Sequence, residues 1–351
     1  MMRQWIILAA ASLQVLVLGF MAGQREAVLH GGQAIKLRSA PIDPRDLFRG
    51  DYVRLSYEAS NINRSLWRGD LSSRKAERGE RVYAVLEVGD DGLARVTSVT
   101  DERPDEGPFL RGRVGWHGGT QLSVKYGLEA YFMQQGTALE LERNRVRDAD
   151  GQVPVQVPLD MDVAVGGSGI AVLRGHQWAP VGLGLRLERQ PRTTGRRRQP
   201  WTEMTTGRRR QPWTGIVELA LLNASEQPLA IVDLPDGGSF DLLPSERWRD
   251  NPCRWIGENK ERPSVRDADV RLLAPGERHT LRINLRDEAW FVTGPEDTSP
   301  RTLVDRGNRT YWFRLVYRPP SPETIEGLAH AAAIWHGELL SRAFNGRQMV
   351  D

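Results

Sequence analysis

The chain has 351 residues, 40% of them hydrophobic and 26% charged, with a formal net charge of +3. It is long enough for two domains that each bury a core, and its single cysteine, Cys253, excludes an intramolecular disulfide. The positive excess is local: residues 191–214 carry seven Arg against one Glu, so the basic pI describes that segment and excludes a basic binding face spread over either domain.

Residues 5–23, WIILAAASLQVLVLGFMAG, carry no charge. As a helix they span about 28 Å, enough for a hydrocarbon core of about 30 Å. Arg3 precedes the run, while Arg25 and Glu26 cancel just after it. The positive-inside rule then places the N-terminus in the cytoplasm and the rest of the chain outside it. A cleaved signal peptide is the competing reading. Cutting after Ala22 or Gly23 puts Phe20 or Met21 where cleavage needs a small residue, so an uncleaved signal anchor is the expectation.

The densest pattern in the chain is residues 39–57, SAPIDPRDLFRGDYVRLSY. Asp43 suits a helix N-cap with Pro44 at the first helical position, and Asp46 faces the positive end of the helix dipole. Gly50 suits a left-handed corner. From there Val53, Leu55 and Tyr57 alternate with Tyr52, Arg54 and Ser56, the period of a half-buried strand. A helical turn running through a glycine corner into a strand is expected. The charged group Asp43, Arg45, Asp46, Arg49, Asp51 and Tyr52 is the candidate functional cluster. Several charges at a tight turn can bind a ligand or move a proton, but capping, dipole and ion-pair roles account for most of them. Tyr52, on the polar face, is the residue folding explains least.

Residues 50–57, GDYVRLSY, resemble the pattern that gives the GDYXXLXY family of bacterial membrane-anchored proteins its name, and the lead-in 41–46 is similar too. Two later stretches, Tyr126 through Phe132 and Ala171 through Gly175, also resemble that family. The resemblance extends over residues 1–190. It implies a location and a fold; the family has no established activity to carry over.

The remainder of residues 24–190 reads mainly as strand. Residues 81–88 and 93–99 flank Asp90-Asp91-Gly92 as a hairpin. Residues 109–116 form another strand, Asp148 through Gly151 read as a turn before 153–157, and 161–165 pairs with 170–173 across Gly166-Gly167-Ser168-Gly169. A short helix fits between Gly136 and Arg145. Then TGRRRQPWT occurs twice, at 194–202 and 206–214, in a polar stretch that reads as a linker. Its Arg clusters admit anionic lipid or nucleic acid as a sharper reading, which their distance from the anchor and the linker composition disfavour.

Residues 215–351 read as a second β domain. Residues 216–222 and 229–234 suggest a hairpin, 280–285 follows an Ala-Pro-Gly-Glu turn, and 310–316 places Tyr311, Phe313 and Leu315 on one face. Residues 323–345 fit either a helix after Ser321-Pro322-Glu323 or a strand at 334–345, where residues 335–341 resemble the last strands of immunoglobulin-like sandwiches. Strand is favoured.

The expected architecture is therefore mainly β: an N-terminal transmembrane helix (1–23), a small antiparallel β domain (24–190), an Arg-rich linker (191–214) and a β-sandwich domain (215–351). No metal, cofactor or catalytic residue is assigned. The six histidines lack metal spacing, and Gly166 through Gly169 matches neither a nucleophile elbow nor a phosphate loop. The expected role is binding or assembly at the envelope, with the bilayer engaged through residues 5–23 and an envelope protein as partner; the alternative is an anchored hydrolase using the Asp43–Tyr52 cluster.

Overall fold

The structure is a computed structural model that describes residues 2–42, 52–63, 66–74, 76–89, 91–118, 121–132, 146–147, 151–191, 212–244, 263–292, 302–303, 312–346 and 349. It opens with one helix, α1 (Met2–Gly31), and is otherwise built of antiparallel strands joined by short 3₁₀ turns. The apolar stretch of α1 packs against nothing among the described residues: Trp5 is 71% exposed and Phe20 67%. Its long, all-round apolar surface is that of a helix made for a non-aqueous neighbour. The helix passes beyond Gly23 and ends only where the first sheet begins.

Contacts divide the chain into two units. The first takes Met1–Arg143 and Pro158–Trp178; the second takes Asn144–Val157 and Ala179–Asp351. The first unit contains one five-stranded sheet in the order β12-β11-β1-β2-β8. These strands are β1 (Gln33–Ile42), β2 (Tyr52–Tyr57), β8 (Ala130–Phe132), β11 (Leu159–Val165) and β12 (Ala171–Trp178). A second sheet has the order β3-β7-β6-β4-β5. Its strands are β3 (Asn61–Asn63), β4 (Arg81–Val88), β5 (Ala94–Thr100), β6 (Phe109–Gly118) and β7 (Gln121–Lys125). Alternation drives both sheets: Ile35, Leu37, Leu55, Met161 and Val163 from the first meet Val82, Ala84, Leu110, Leu122 and Val124 from the second in a single core. The first sheet curls strongly, because Tyr131 on one edge strand and His176 on the other come within 3.2 Å, phenol oxygen to Nδ1.

The expected β4–β5 hairpin forms, with Gly92 at φ +73° in its turn. The expected β11–β12 pairing across Gly166 through Gly169 also forms, with Val165 opposite Ala171. The expected turn at 43–50, the short helix at 136–145 and residues 148–150 lie outside the described residues. Strand β1 was not anticipated. Its ten residues were masked by Pro41 and by the capping signal after it, although Ile35 and Leu37 already alternate with Lys36 and Arg38.

The second unit holds the sheet β18-β14-β13-β10-β9, made of β9 (Val146–Arg147), β10 (Val155–Gln156), β13 (Val181–Arg189), β14 (Trp213–Asn223) and β18 (Arg278–Asn284). Smaller sheets pair β15 (Leu229–Val232) with β17 (Val270–Leu273), β19 (Phe291–Val292) with β20 (Thr302–Leu303), and set β21 (Phe313–Tyr317) between β16 (Phe240–Pro244) and β22 (Leu339–Leu340). Val217, Leu219, Phe240, Phe313, Leu315, Tyr317 and Phe344 form its core.

Three expectations change here. Residues 181–189, placed by sequence in the first domain, pair with β14 from Val181↔Asn223 to Arg189↔Trp213, so the division falls near residue 179. The same ladder brings both ends of the Arg-rich segment into one sheet, closed by the Gln190 N–H to the Pro212 carbonyl at 3.0 Å. That segment is thus an insertion in a hairpin of the second unit and not a link between domains; residues 192–211 lie outside the described residues, while Trp213 is 6% exposed within β14. Finally, β14 and β15 do not pair. Both edges of the long β14 are taken, by β13 and β18, and the polar turn after it sends the chain to β17. At the C-terminal end, residues 322–325 and 331–333 are single 3₁₀ turns, and Leu339–Leu340 pairs with β21, so the strand reading holds over a short stretch.

Asn223 builds the turn after β14. Fully buried, it donates through Nδ2 to the carbonyls of Gln227 (2.8 Å) and Leu273 (3.0 Å) and accepts from the Ser225 N–H and hydroxyl. Asn223→Ala strands these groups and should lower stability by about 1–3 kcal/mol in chemical denaturation. A second test uses Asp269, buried and gripped by the Arg266 backbone N–H and guanidinium. Arg266 holds the Asp269 carboxyl below its usual range. Its contribution is present above the ordinary carboxylate pKa and disappears as pH falls through the depressed one. Native protein should therefore exceed Asp269→Asn in stability at neutral pH, with the gap closing below about pH 4.

Candidate functional site at the signature strands

Strand β1 is the middle strand of the curled sheet, and one face of it is charged. Lys36 stands opposite Asp162 and Arg38 opposite Asp160 on β11. Arg38 and Asp160 form a two-pronged pair, Nε to Oδ1 at 2.8 Å and Nη2 to Oδ2 at 3.0 Å, with side chains only 8% and 6% exposed. Burial works against the Arg38 charge, but the hydrogen bonds and charge of Asp160, aided by Glu58 and Asp91, outweigh it and push its pKa upward. Arg38 therefore stays charged. Asp91 arrives on the β4–β5 turn, whose Gly92 carbonyl accepts the Lys36 N–H at 3.1 Å; it also binds Arg95 at 2.9 Å. The β1–β11 ladder thus carries a buried ion pair beside Lys36 and Asp162, with Glu58 and Asp91 nearby.

Strand β2 is held just as closely. Leu55 and Tyr57 are 2% and 1% exposed, inside the core, while Ser56 and Glu58 face outward. The Tyr57 hydroxyl donates to the Leu128 carbonyl at 2.8 Å. Burial, reinforced by Glu129, pushes its phenol pKa far up, so Tyr57 is a neutral strut. The segment from Tyr126 to Phe132 supplies the other half of this clamp. Glu129 accepts the backbone N–H groups of Tyr126 and Gly127 at 2.6 and 3.0 Å, Gly127 takes φ +81°, and the Tyr126 hydroxyl donates to the Ala59 carbonyl at 2.7 Å. Burial then pushes the Tyr126 phenol up, again helped by Glu129. With the turn held, β8 pairs with β2.

Of the candidate cluster, Asp43, Arg45, Asp46, Arg49 and Asp51 lie outside the described residues. Tyr52 begins β2 with its backbone paired to Phe132. What the structure does establish is where the cluster is attached: between Ile42 and Arg54, which pair with each other, with Arg54 paired in turn to Ala130. Strand β1 runs ten residues from the end of α1 to this point, about 33 Å of extended chain. The cluster therefore belongs to the connection of an antiparallel strand pair, at the end of β1 remote from the helix. Sequence reasoning missed Arg38 and Asp160, and noted Tyr126 and Glu129 only as part of a family-like stretch. The signal for Asp160 and Asp162 was an acid at every second place within an apolar strand, LDMDVAV. Among the described residues no three His, Cys, Asp or Glu side chains gather as a metal site does.

The sequence model of the GDYXXLXY protein family matches residues 14–175. This part of the chain is similar to the GDYXXLXY family. No curated protein and no solved structure matches the chain. The match ends within β12, so the GDYXXLXY region takes in the apolar helix from residue 14 onward and both sheets of the first unit, and leaves β13 onward outside. Its name-giving residues Leu55 and Tyr57 are buried struts, and the two other family-like stretches are the Tyr126 clamp and strand β12.

Removing one partner of the buried pair leaves an uncompensated charge. Asp160→Ala should cost about 3–5 kcal/mol in denaturant unfolding, whereas replacing Arg38 and Asp160 together by Met and Leu should recover most of that loss.

Proposed function

We propose that this protein is a membrane-tethered envelope protein that works by binding or assembly, with residues 43–52 as its contact segment. The tether is supported by α1, whose apolar window is wholly unburied with a mean hydropathy of 2.2. Arg3 before that window and the cancelling Arg25 and Glu26 after it favour a cytoplasmic N-terminus and an extracytoplasmic bulk. The observation that carries the functional reading is the division of labour within the signature. Leu55 and Tyr57 are used up in the core, while Asp43, Arg45, Asp46, Arg49 and Asp51 are attached at the end of a braced strand pair, where a rigid scaffold offers a connection to a partner. A charge-rich connection on such a base fits a polar protein surface. The second unit, for which the likeness of residues 335–341 to immunoglobulin-like sandwiches suggests an adhesive role, would add a second contact domain.

Two measurements test this. Full-length protein should stay with membranes through alkaline carbonate extraction, and a chain lacking residues 1–23 should be released; a mature N-terminus beginning after residue 23 would sink the anchor. A photoreactive residue at position 52 should give one discrete cross-linked product in membranes, lost in Asp51→Asn with circular dichroism unchanged. Ester or amide turnover abolished by the same substitution would instead establish the hydrolase reading, and unfolding of Asp51→Asn would assign Asp51 to the corner.

A further inference from the structure

The junction between α1 and the first sheet has no slack. The helix ends at Gly31 and β1 begins at Gln33, leaving Gly32 alone between them. Its N–H donates to the Val28 carbonyl at 2.8 Å, continuing the helical pattern. A Cβ on Gly32 would sit 2.5 Å from the Val28 carbonyl oxygen and 3.1 Å from the Val165 backbone, so helix and sheet meet here at backbone distance. On the neighbouring side Val28 packs over Gly166, where a Cβ would come within 2.8 Å of a Val28 methyl. Arg174 of β12 closes the joint: its Nη2 donates to the carbonyl of Leu29 and lies 3.4 Å from that of Gly32. A guanidinium there satisfies carbonyls left open at a helix C-terminus and faces the negative end of its dipole. Val28 and Leu29 are half-buried against the sheet, whereas residues 24–27 stand free in solvent. Four contacts on three chain segments thus fix one short joint.

We propose that α1 and the curled sheet form one rigid body, so that the far end of β1 is held at a fixed place relative to the bilayer. Residues 24–31 add about 12 Å of helix and β1 about 33 Å of strand, so the far end of β1 lies at most about 45 Å from the membrane. The bilayer half of this inference rests on α1 crossing the membrane as proposed above; the rigid joint does not. A flexible tether of the same length would let the domain wander. A rigid one confines the partner to a membrane-proximal shell and passes any tilt or rotation of the helix to the far end of β1.

Pulsed electron spin resonance on the full chain tests this. Spin labels at Gln24→Cys and Glu87→Cys, both exposed sites, are introduced with Cys253→Ser in lipid nanodiscs. The expected result is a single narrow distance distribution, broadened at least twofold by Arg174→Ala. Inserting Gly-Ser-Gly after Gly31 should broaden it as well, with the thermal midpoint of the domain retained. A distribution already broad in the intact junction would overturn the proposal. A narrow distribution that neither change widens would overturn the assigned clamp. Flotation of the same samples separates the two halves: a narrow distance in protein that does not float with lipid overturns the membrane reach and leaves the joint standing.

Discussion

The Arg38–Asp160 pair is the constraint on which the first unit turns. It lies in the ladder between β1 and β11, out of water on both sides. A guanidinium and a carboxylate buried this deeply are tolerable only while both prongs are made, since each charge alone would carry a desolvation penalty of several kcal/mol. The requirement fixes register. A slip of one residue would set Arg38 against an apolar position of β11 and turn Ile35 and Leu37 out of the core. Because β1 is the middle strand, β12, β2 and β8 all take their places from it, and α1 is joined to its first residue.

The family signature looks different from this vantage. A dense run of charges and tyrosines invites an active-site reading, yet Tyr57 and Tyr126 are hydrogen-bonded struts whose phenols burial keeps neutral. Glu129, the acid nearest to them, is occupied by two backbone N–H groups. Much of the pattern therefore specifies a braced strand pair. The three family-like stretches, far apart along the chain, converge on one sheet: β2, the clamp before β8, and β12 with its hold on α1.

The legibility of the sequence varied with the range of the interactions. The β4–β5 and β11–β12 hairpins were readable because a glycine turn and two alternating runs are local signals. The run 52–57 was readable for the same reason. The supposed hairpin of β14 with β15 failed because strands choose partners by length and burial as well as by proximity, and β13 and β18 both fit β14 better. The Arg-rich repeat was read as a polar linker between domains; that both its ends enter one sheet depended on a pairing across it, which composition does not encode.

By itself the sequence determined the apolar helix, the mainly β character, the likeness to the GDYXXLXY family and the strand at residues 52–57. All four follow from periodicity, turn chemistry or a contiguous motif, which act over a few residues. Only the tertiary structure decided that Arg38 finds Asp160, that Tyr57 finds Leu128, that Arg174 closes the helix, and that the chain divides near residue 179. Each of these joins residues distant in sequence, where the deciding energies, desolvation of a charge or satisfaction of a buried carbonyl, exist only once the core has excluded water.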